Sequence, residues 1–220
     1  MPPRTTNREI KKQYLIVCEG RDAQEFLKTY LDSVSDTSPN FSEDIQIINF
    51  GGNNELTNRL KLLRNDDNFD NIKSLLIIRD AETNFESAIQ SIQKSLESNG
   101  LSVPKSPFMW ENGTPKIGFL LFPNCNAESA NGTLEDLCLS ILSNAKAPEL
   151  KQEIVYFMDT LKEKYHFKFS RPFKTKLHTY FSIHDDYVSL KIGEAAKAGA
   201  FDWNHEKLAP FKKFLSKMFS

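Results

Sequence analysis

The sequence predicts an α/β fold: a parallel sheet of about four strands flanked by helices, followed by a helical C-terminal region. Short apolar runs of strand length alternate four times with stretches of helical period, the signature of strand–helix–strand units. From about Pro148 onward the strand signal fades and only helical spacing remains. The composition agrees, since 220 residues with 40% apolar and 26% charged content can bury a sizeable core.

The opening MPPRTTNREIKKQ is basic and has no apolar stretch behind it long enough for a secretory signal. It reads as a short, poorly ordered lead-in. Gln13–Cys18 (QYLIVC) is the first strand, continuously apolar at its centre as a strand buried on both faces should be. After an EGR turn, Phe26, Leu27, Tyr30, Leu31 and Val34 lie on one side of a helix over Ala23–Val34. Ser35–Glu43 is polar, contains a proline and reads as a loop. Ile45–Phe50 is a second strand, ended by Gly51-Gly52, and Glu55–Leu63 is helical. A third strand over Ile72–Ile78 precedes a helix over Phe85–Leu96, and a fourth over Ile117–Phe122 precedes a helix over Leu134–Leu142. Leu150–Tyr165, Leu190–Ala198 and His205–Phe219 complete the helices. Residues 13–147 thus form the α/β domain and 148–220 a helical extension, with no flexible linker between them. One continuous globule is expected.

The formal net charge of −1 gives no global argument for a nucleic-acid partner, so such a contact must come from a local patch. Cys18, Cys125 and Cys138 form no CxxC and are odd in number, and Cys18 and Cys138 lie in apolar runs. A reducing, cytoplasmic setting is expected. No apolar stretch approaches the length of a membrane span, so no membrane role is expected.

Acids stand where the apolar strands end: Glu19 after YLIVC, Asp80 and Glu82 around SLLIIR, and Glu135 shortly after IGFLLF. Open α/β sheets bind ligands outside the carboxyl ends of their strands. Carboxylates gathered there repel one another unless a cation neutralises them, and Mg²⁺ takes oxygen ligands of this kind. Helix capping competes with this reading. Asp22-Ala-Gln-Glu25, Thr83-Asn-Phe-Glu86 and Thr133-Leu-Glu-Asp136 each resemble a capping box. Capping accounts for Asp22, Glu25, Glu86 and Asp136, and the helix dipole could account for Glu135. It leaves Glu19, Asp80 and Glu82 unexplained.

CEGRDAQEFL resembles the first Toprim motif, a strand running into Glu-Gly. IIRDAE resembles the second, Asp-x-Asp at a strand end, with Glu82 as its second acid. PNCNAESANGTLEDL and the ending KLHTYFS…IGEAAKAGAFDWNHEKLAPFKKFL are similar to an uncharacterised prokaryotic Toprim-like family related to OLD-type nucleases, so the resemblance spans nearly the whole chain. It implies a Toprim-like, Rossmann-like sheet and a Mg²⁺- or Mn²⁺-dependent nuclease acting on DNA or RNA. Carried over, Glu19 would be the general acid/base or a metal ligand, Asp80 and Glu82 would hold Mg²⁺, and Glu135 would match a later acid serving a second metal. Some OLD-type nucleases work with an ATPase partner. Two departures stand out. Ala23 occupies a position where many Toprim proteins have an acid, and Glu82 is one methylene longer than aspartate. Both leave room for a catalytically inactive module that binds nucleic acid or a protein.

Lys162–Lys176 (KEKYHFKFSRPFKTK) carries six Lys/Arg against one acid, interleaved with Tyr165, Phe167, Phe169 and Phe173. One reading is a nucleic-acid contact through Lys162, Lys164, Lys168, Arg171 and Lys174, with rings stacking on bases. The other is a half-buried extended stretch, Phe inward and Lys outward. Lys176, in KLHTYF, could stabilise phosphate charge as a catalytic residue beside a Toprim-like site. The four histidines, 166, 178, 184 and 205, lack ligand spacing for zinc, and Gly51-Gly52 belongs to neither GxxxxGK nor GxGxxG. An enzyme of small phosphorylated substrates would instead show a deep, narrow pocket over the acids.

Overall fold

The apolar runs pair as one mixed sheet. In a computed structural model, which describes residues 9–35, 40–52, 55–144 and 147–220, the strands are β1 (Tyr14–Cys18), β2 (Ile45–Asn49), β3 (Ser74–Asp80), β4 (Trp110–Glu111) and β5 (Lys116–Phe122). Their order is β2-β1-β3-β5-β4. The first four in that order run parallel, in registers such as Ile16 with Ile47 and Leu76, while β4 lies antiparallel on β5 at the edge. The predicted strands are all present. The added one, β4, is two residues long and too short to show a period. The lead-in over residues 1–8 and loop positions 36–39 lie outside the described residues.

Strand side chains alternate between two apolar layers. Ile16, Cys18, Leu76, Ile78, Leu120 and Phe122 face one core; Leu15, Val17, Leu75, Ile77, Phe119 and Leu121 face the other. Helix α1 (Gly20–Val34) covers the first face. The very short α2 (Phe41–Asp44) follows it, where the sequence suggests only loop; Asn40 caps it by accepting from the Glu43 N–H at 3.3 Å. Helices α3 (Leu56–Arg64) and α4 (Phe85–Glu97) cover the second face through Leu56, Leu60, Leu63, Ile92 and Leu96.

The remaining helices are α5 (Leu134–Ser140), α6 (Ala147–Tyr165), α7 (Pro172–Ser182), α8 (Ile192–Lys197) and α9 (Ala209–Ser216). They share the core of α1: Leu177, Tyr180, Phe181, Ala195 and Phe211 belong to the same buried cluster as Ile16 and Phe26. Tyr30 stacks on Phe211 at 5.2 Å between ring centroids, and Phe26 meets Trp203 edge-on at 5.2 Å. The last residues reach the amino ends of the strands, where Phe219 packs on Tyr14 and the Ser74 hydroxyl donates to the Met218 carbonyl at 2.6 Å. Among the described residues no helix is long and apolar enough to cross a membrane.

Lys162–Lys176 is not the extended stretch that its Phe/Lys alternation suggested. Helix α6 runs to Tyr165, a short connection follows, and Pro172 opens α7 at a first-turn position where its missing N–H costs nothing. Phe173, Leu177, Tyr180 and Phe181 carry the helical period that overrides the alternation.

Candidate metal and phosphate site

After β1 the chain goes to β2 on one side, and after β2 it returns to β3 on the other. The order therefore reverses between β1 and β3, and a crevice opens beyond their carboxyl ends, where ligands of such sheets bind. Glu19 follows β1 directly and Asp80 closes β3.

Each acid is fixed by backbone. The Glu19 N–H continues the ladder to the Ile78 carbonyl at 3.0 Å, and Gly20, at φ +78°, turns the chain sharply into α1. Glu82 and Gly132 exchange backbone hydrogen bonds of 2.8 and 2.7 Å. That bridge clips the loop after β5 to the end of β3 and so delivers α5, with Glu135 in its first turn. Glu82 itself has φ +55°, a conformation uncommon for a non-glycine residue and concentrated at functional sites.

The four acids line one pocket of ≈ 430 Å³ together with Asp22, Thr133, Arg171 and Lys174. Asp80 is its partly buried centre. Burial pushes the Asp80 carboxyl well above the aspartate range, and the charges of Glu19, Glu135 and Glu82 push the same way. The Leu134 N–H, donating to Asp80 Oδ1 at 2.9 Å, opposes them. Burial also raises Glu19, countered by the Arg79 guanidinium, whose Nε is 3.7 Å from Glu19 Oε2. Arg79 is 3% exposed, and its Nη1 also donates to the Ser91 hydroxyl at 3.0 Å. Sequence reasoning passed over Arg79. The signal was present, because a cation directly after the apolar run Leu75–Ile78, still within strand length, is costly unless partnered.

The donor set suits a hard cation in chemistry: carboxylate oxygens only, gathered at a partly buried and mutually repelling centre. It is not drawn up as a finished cage, since no group of three or more such side chains among the described residues is placed to hold an ion. A cation held at Asp80 would need further carboxylates of the pocket to turn toward it. Ala23 is buried at 5% exposure, belongs to the apolar cluster under α1 and also lines the acid pocket, to which it brings no ligand.

The basic residues divide. Arg171 and Lys174 line the acid pocket, and Lys174 Nζ is 3.8 Å from Asp22 Oδ2. Lys162 and Lys164 lie in the last turn of α6, Lys162 paired with Asp159 at 2.8 Å, and Lys168 is exposed in the connection. None of these three lines the pocket. Lys176 does not line it either; its charge, after the Thr133 N–H, opposes the rise that burial imposes on the Asp136 carboxyl.

The capping pattern is confirmed at one place of three. Thr133 N–H donates to Asp136 Oδ2 at 2.9 Å, a capping box with aspartate. The α4 cap is Asn84, accepting from Ser87 N–H at 2.9 Å, one residue beyond Thr83. At α1 the cap position is Glu19, so Asp22 sits inside the first turn and does not cap.

The family model described as "Protein of unknown function (DUF3226)" matches residues 13–220. The chain belongs to this family. The DUF3226 match covers the sheet and the C-terminal helices alike, so the acids and the basic helix α7 fall within one family unit. No curated protein and no solved structure shows a significant match to the chain.

Proposed function

We propose that this DUF3226 protein carries out Mg²⁺- or Mn²⁺-dependent phosphodiester chemistry on nucleic acid, DNA or RNA, as a Toprim-type nuclease. The observation that carries the reading is the convergence of Glu19, Asp80, Glu82 and Glu135 on one pocket beside Arg171 and Lys174. The resemblance of CEGRDAQEFL and IIRDAE to the first two Toprim motifs supports it. Asp80, with Glu82 and Glu135, would hold the cation. When bound, it would neutralise charge developing on a phosphate and make an attacking water more acidic. Glu19, lifted by burial and held by Arg79, is suited to exchange a proton with the reacting oxygen. Arg171 and Lys174 would orient the phosphate, in place of Lys176. A partner ATPase is implied only by the OLD-type resemblance.

A second reading, a non-catalytic module for nucleic acid or a protein partner, draws on Ala23 and on the unassembled ligand set. Titration calorimetry with Mn²⁺ separates the two. The wild type should bind, and Asp80→Asn and Glu19→Gln should each weaken binding by tenfold or more, about the loss expected for disturbing a metal centre. Unchanged affinity in Asp80→Asn would remove the site. A wild type that takes up no Mn²⁺, with or without a bound strand, would leave the non-catalytic module.

A further inference from the structure

Two of the rings left bare by the fold stand together in a basic stretch. Tyr165 and Phe167 are 56% and 57% exposed, where α6 gives way to the connection with α7. The Lys164 ammonium lies 5.2 Å from the centroid of the Tyr165 ring. Phe167 lies nearly parallel to Phe169, with 19° between planes and 6.3 Å between centroids, and Phe169 packs against the main core. One exposed ring is thus backed by an anchored one. The turn that presents them is set by backbone: His166 has φ +58°, and the Phe167 N–H donates to the Leu161 carbonyl at 3.3 Å.

The path onward leads to the acids. Arg171 is the cap residue of α7 and lines the pocket. It lies four positions beyond Phe167, a reach of at most about 14 Å. Exposed rings alternating with cations fit a strand whose bases are free to stack, because every base offers a π-face and every linkage a negative charge. A duplex hides those faces. A protein partner fits less well, since the buried centre of a protein interface is depleted of lysine, whereas here Lys164 and Lys168 flank the rings.

We propose that the α6–α7 connection is a stacking platform for single-stranded nucleic acid. Tyr165 and Phe167 take base faces, while Lys164, Lys168 and Arg171 follow the backbone toward the pocket. The inference rests on reading that pocket as a phosphodiester site, and it names the substrate as an unpaired strand.

The test is fluorescence anisotropy of a labelled oligothymidine of roughly 20 nucleotides, longer than one such module covers, with the full chain in EDTA. The same oligonucleotide paired with its complement is the comparison. The single strand should bind more tightly than the duplex, with affinity that falls as salt rises. Combining Tyr165→Ala with Phe167→Ala should weaken single-strand binding by about tenfold or more and leave the duplex unaffected. Tyr156→Ala, a ring 72% exposed on α6 outside the stretch, should change neither. Equal affinity of the double variant and the wild type for the single strand overturns the proposal, as does a changed subunit number by light scattering with strand affinity intact. Thermal midpoints matching the wild type establish that the variants are folded. Because no divalent ion is present, loss of the platform effect with Mn²⁺ binding intact removes the platform alone. Failure of Mn²⁺ binding with the platform effect intact removes the metal site alone.

Discussion

Asp80 is held in a state its surroundings oppose. Burial and three neighbouring carboxylates raise its proton affinity in the folded chain above that of the unfolded chain. The folded state therefore binds more protons, and stability falls as pH rises from the ordinary aspartate value, about 3.9, through the raised folded value. Below that window the cost vanishes, and above it the cost is fully present. Asp80→Asn removes the charge while keeping an oxygen for the Leu134 N–H. In EDTA near pH 7.5 this variant should melt a few degrees higher than the wild type, each kcal/mol being worth about 2–4 °C in a chain of this size. The gain should disappear by pH 4, as followed by circular dichroism; a lower melting point at neutral pH would refute the account. Glu19 is raised in the same direction, burial outweighing the Arg79 guanidinium. Glu19→Gln should therefore also gain stability above the ordinary glutamate range, by less than Asp80→Asn because it gives up the Arg79 pair.

Elements differ in how much of them the sequence displayed. The strands β1, β2, β3 and β5 are short apolar runs buried on both sides, so their composition revealed them. Glu19, Asp80 and Glu82 at or just past strand ends were legible for the same reason, since a charge ending an apolar run is conspicuous, whereas Glu135 is brought in by the first turn of α5. Helix α7 was not legible, because Phe167, Phe169, Phe173 and their lysines gave a period of two or four that mimics a strand. Pro172 followed by Phe173, Leu177 and Phe181 held the correct signal. The clip between Glu82 and Gly132 could not be read at all, since it joins backbone atoms 50 residues apart. Its importance can be tested. Gly132 has φ +136°, and a Cβ there would lie 2.7 Å from Asp136 Oδ2 and 3.0 Å from Pro123 Cγ. Gly132→Ala should cost about 1–3 kcal/mol in urea unfolding. It should also lower Mn²⁺ affinity by displacing Glu135, and unchanged values of both would show that the clip does not position α5.

At the scale of the molecule, the boundary read near residue 148 is a change of secondary structure within a shared core. Trp110 stacks on Phe214 of α9 at 5.0 Å, and Trp203 meets Phe26 and Tyr30 of α1. Tryptophan fluorescence and far-ultraviolet circular dichroism should therefore report one coincident urea transition; two separated transitions would show an independently stable C-terminal unit. The same wrapping bears on synthesis. Phe211, Phe214, Leu215 and Met218 complete the apolar layer that Ile16, Leu76 and Leu120 begin. At about 5–20 residues per second on the ribosome, β1 waits on the order of tens of seconds for the C-terminal part of its cover. During that time α1 covers only part of the face, and the apolar patch that α9 seals stays open to water until residues 209–218 have been made.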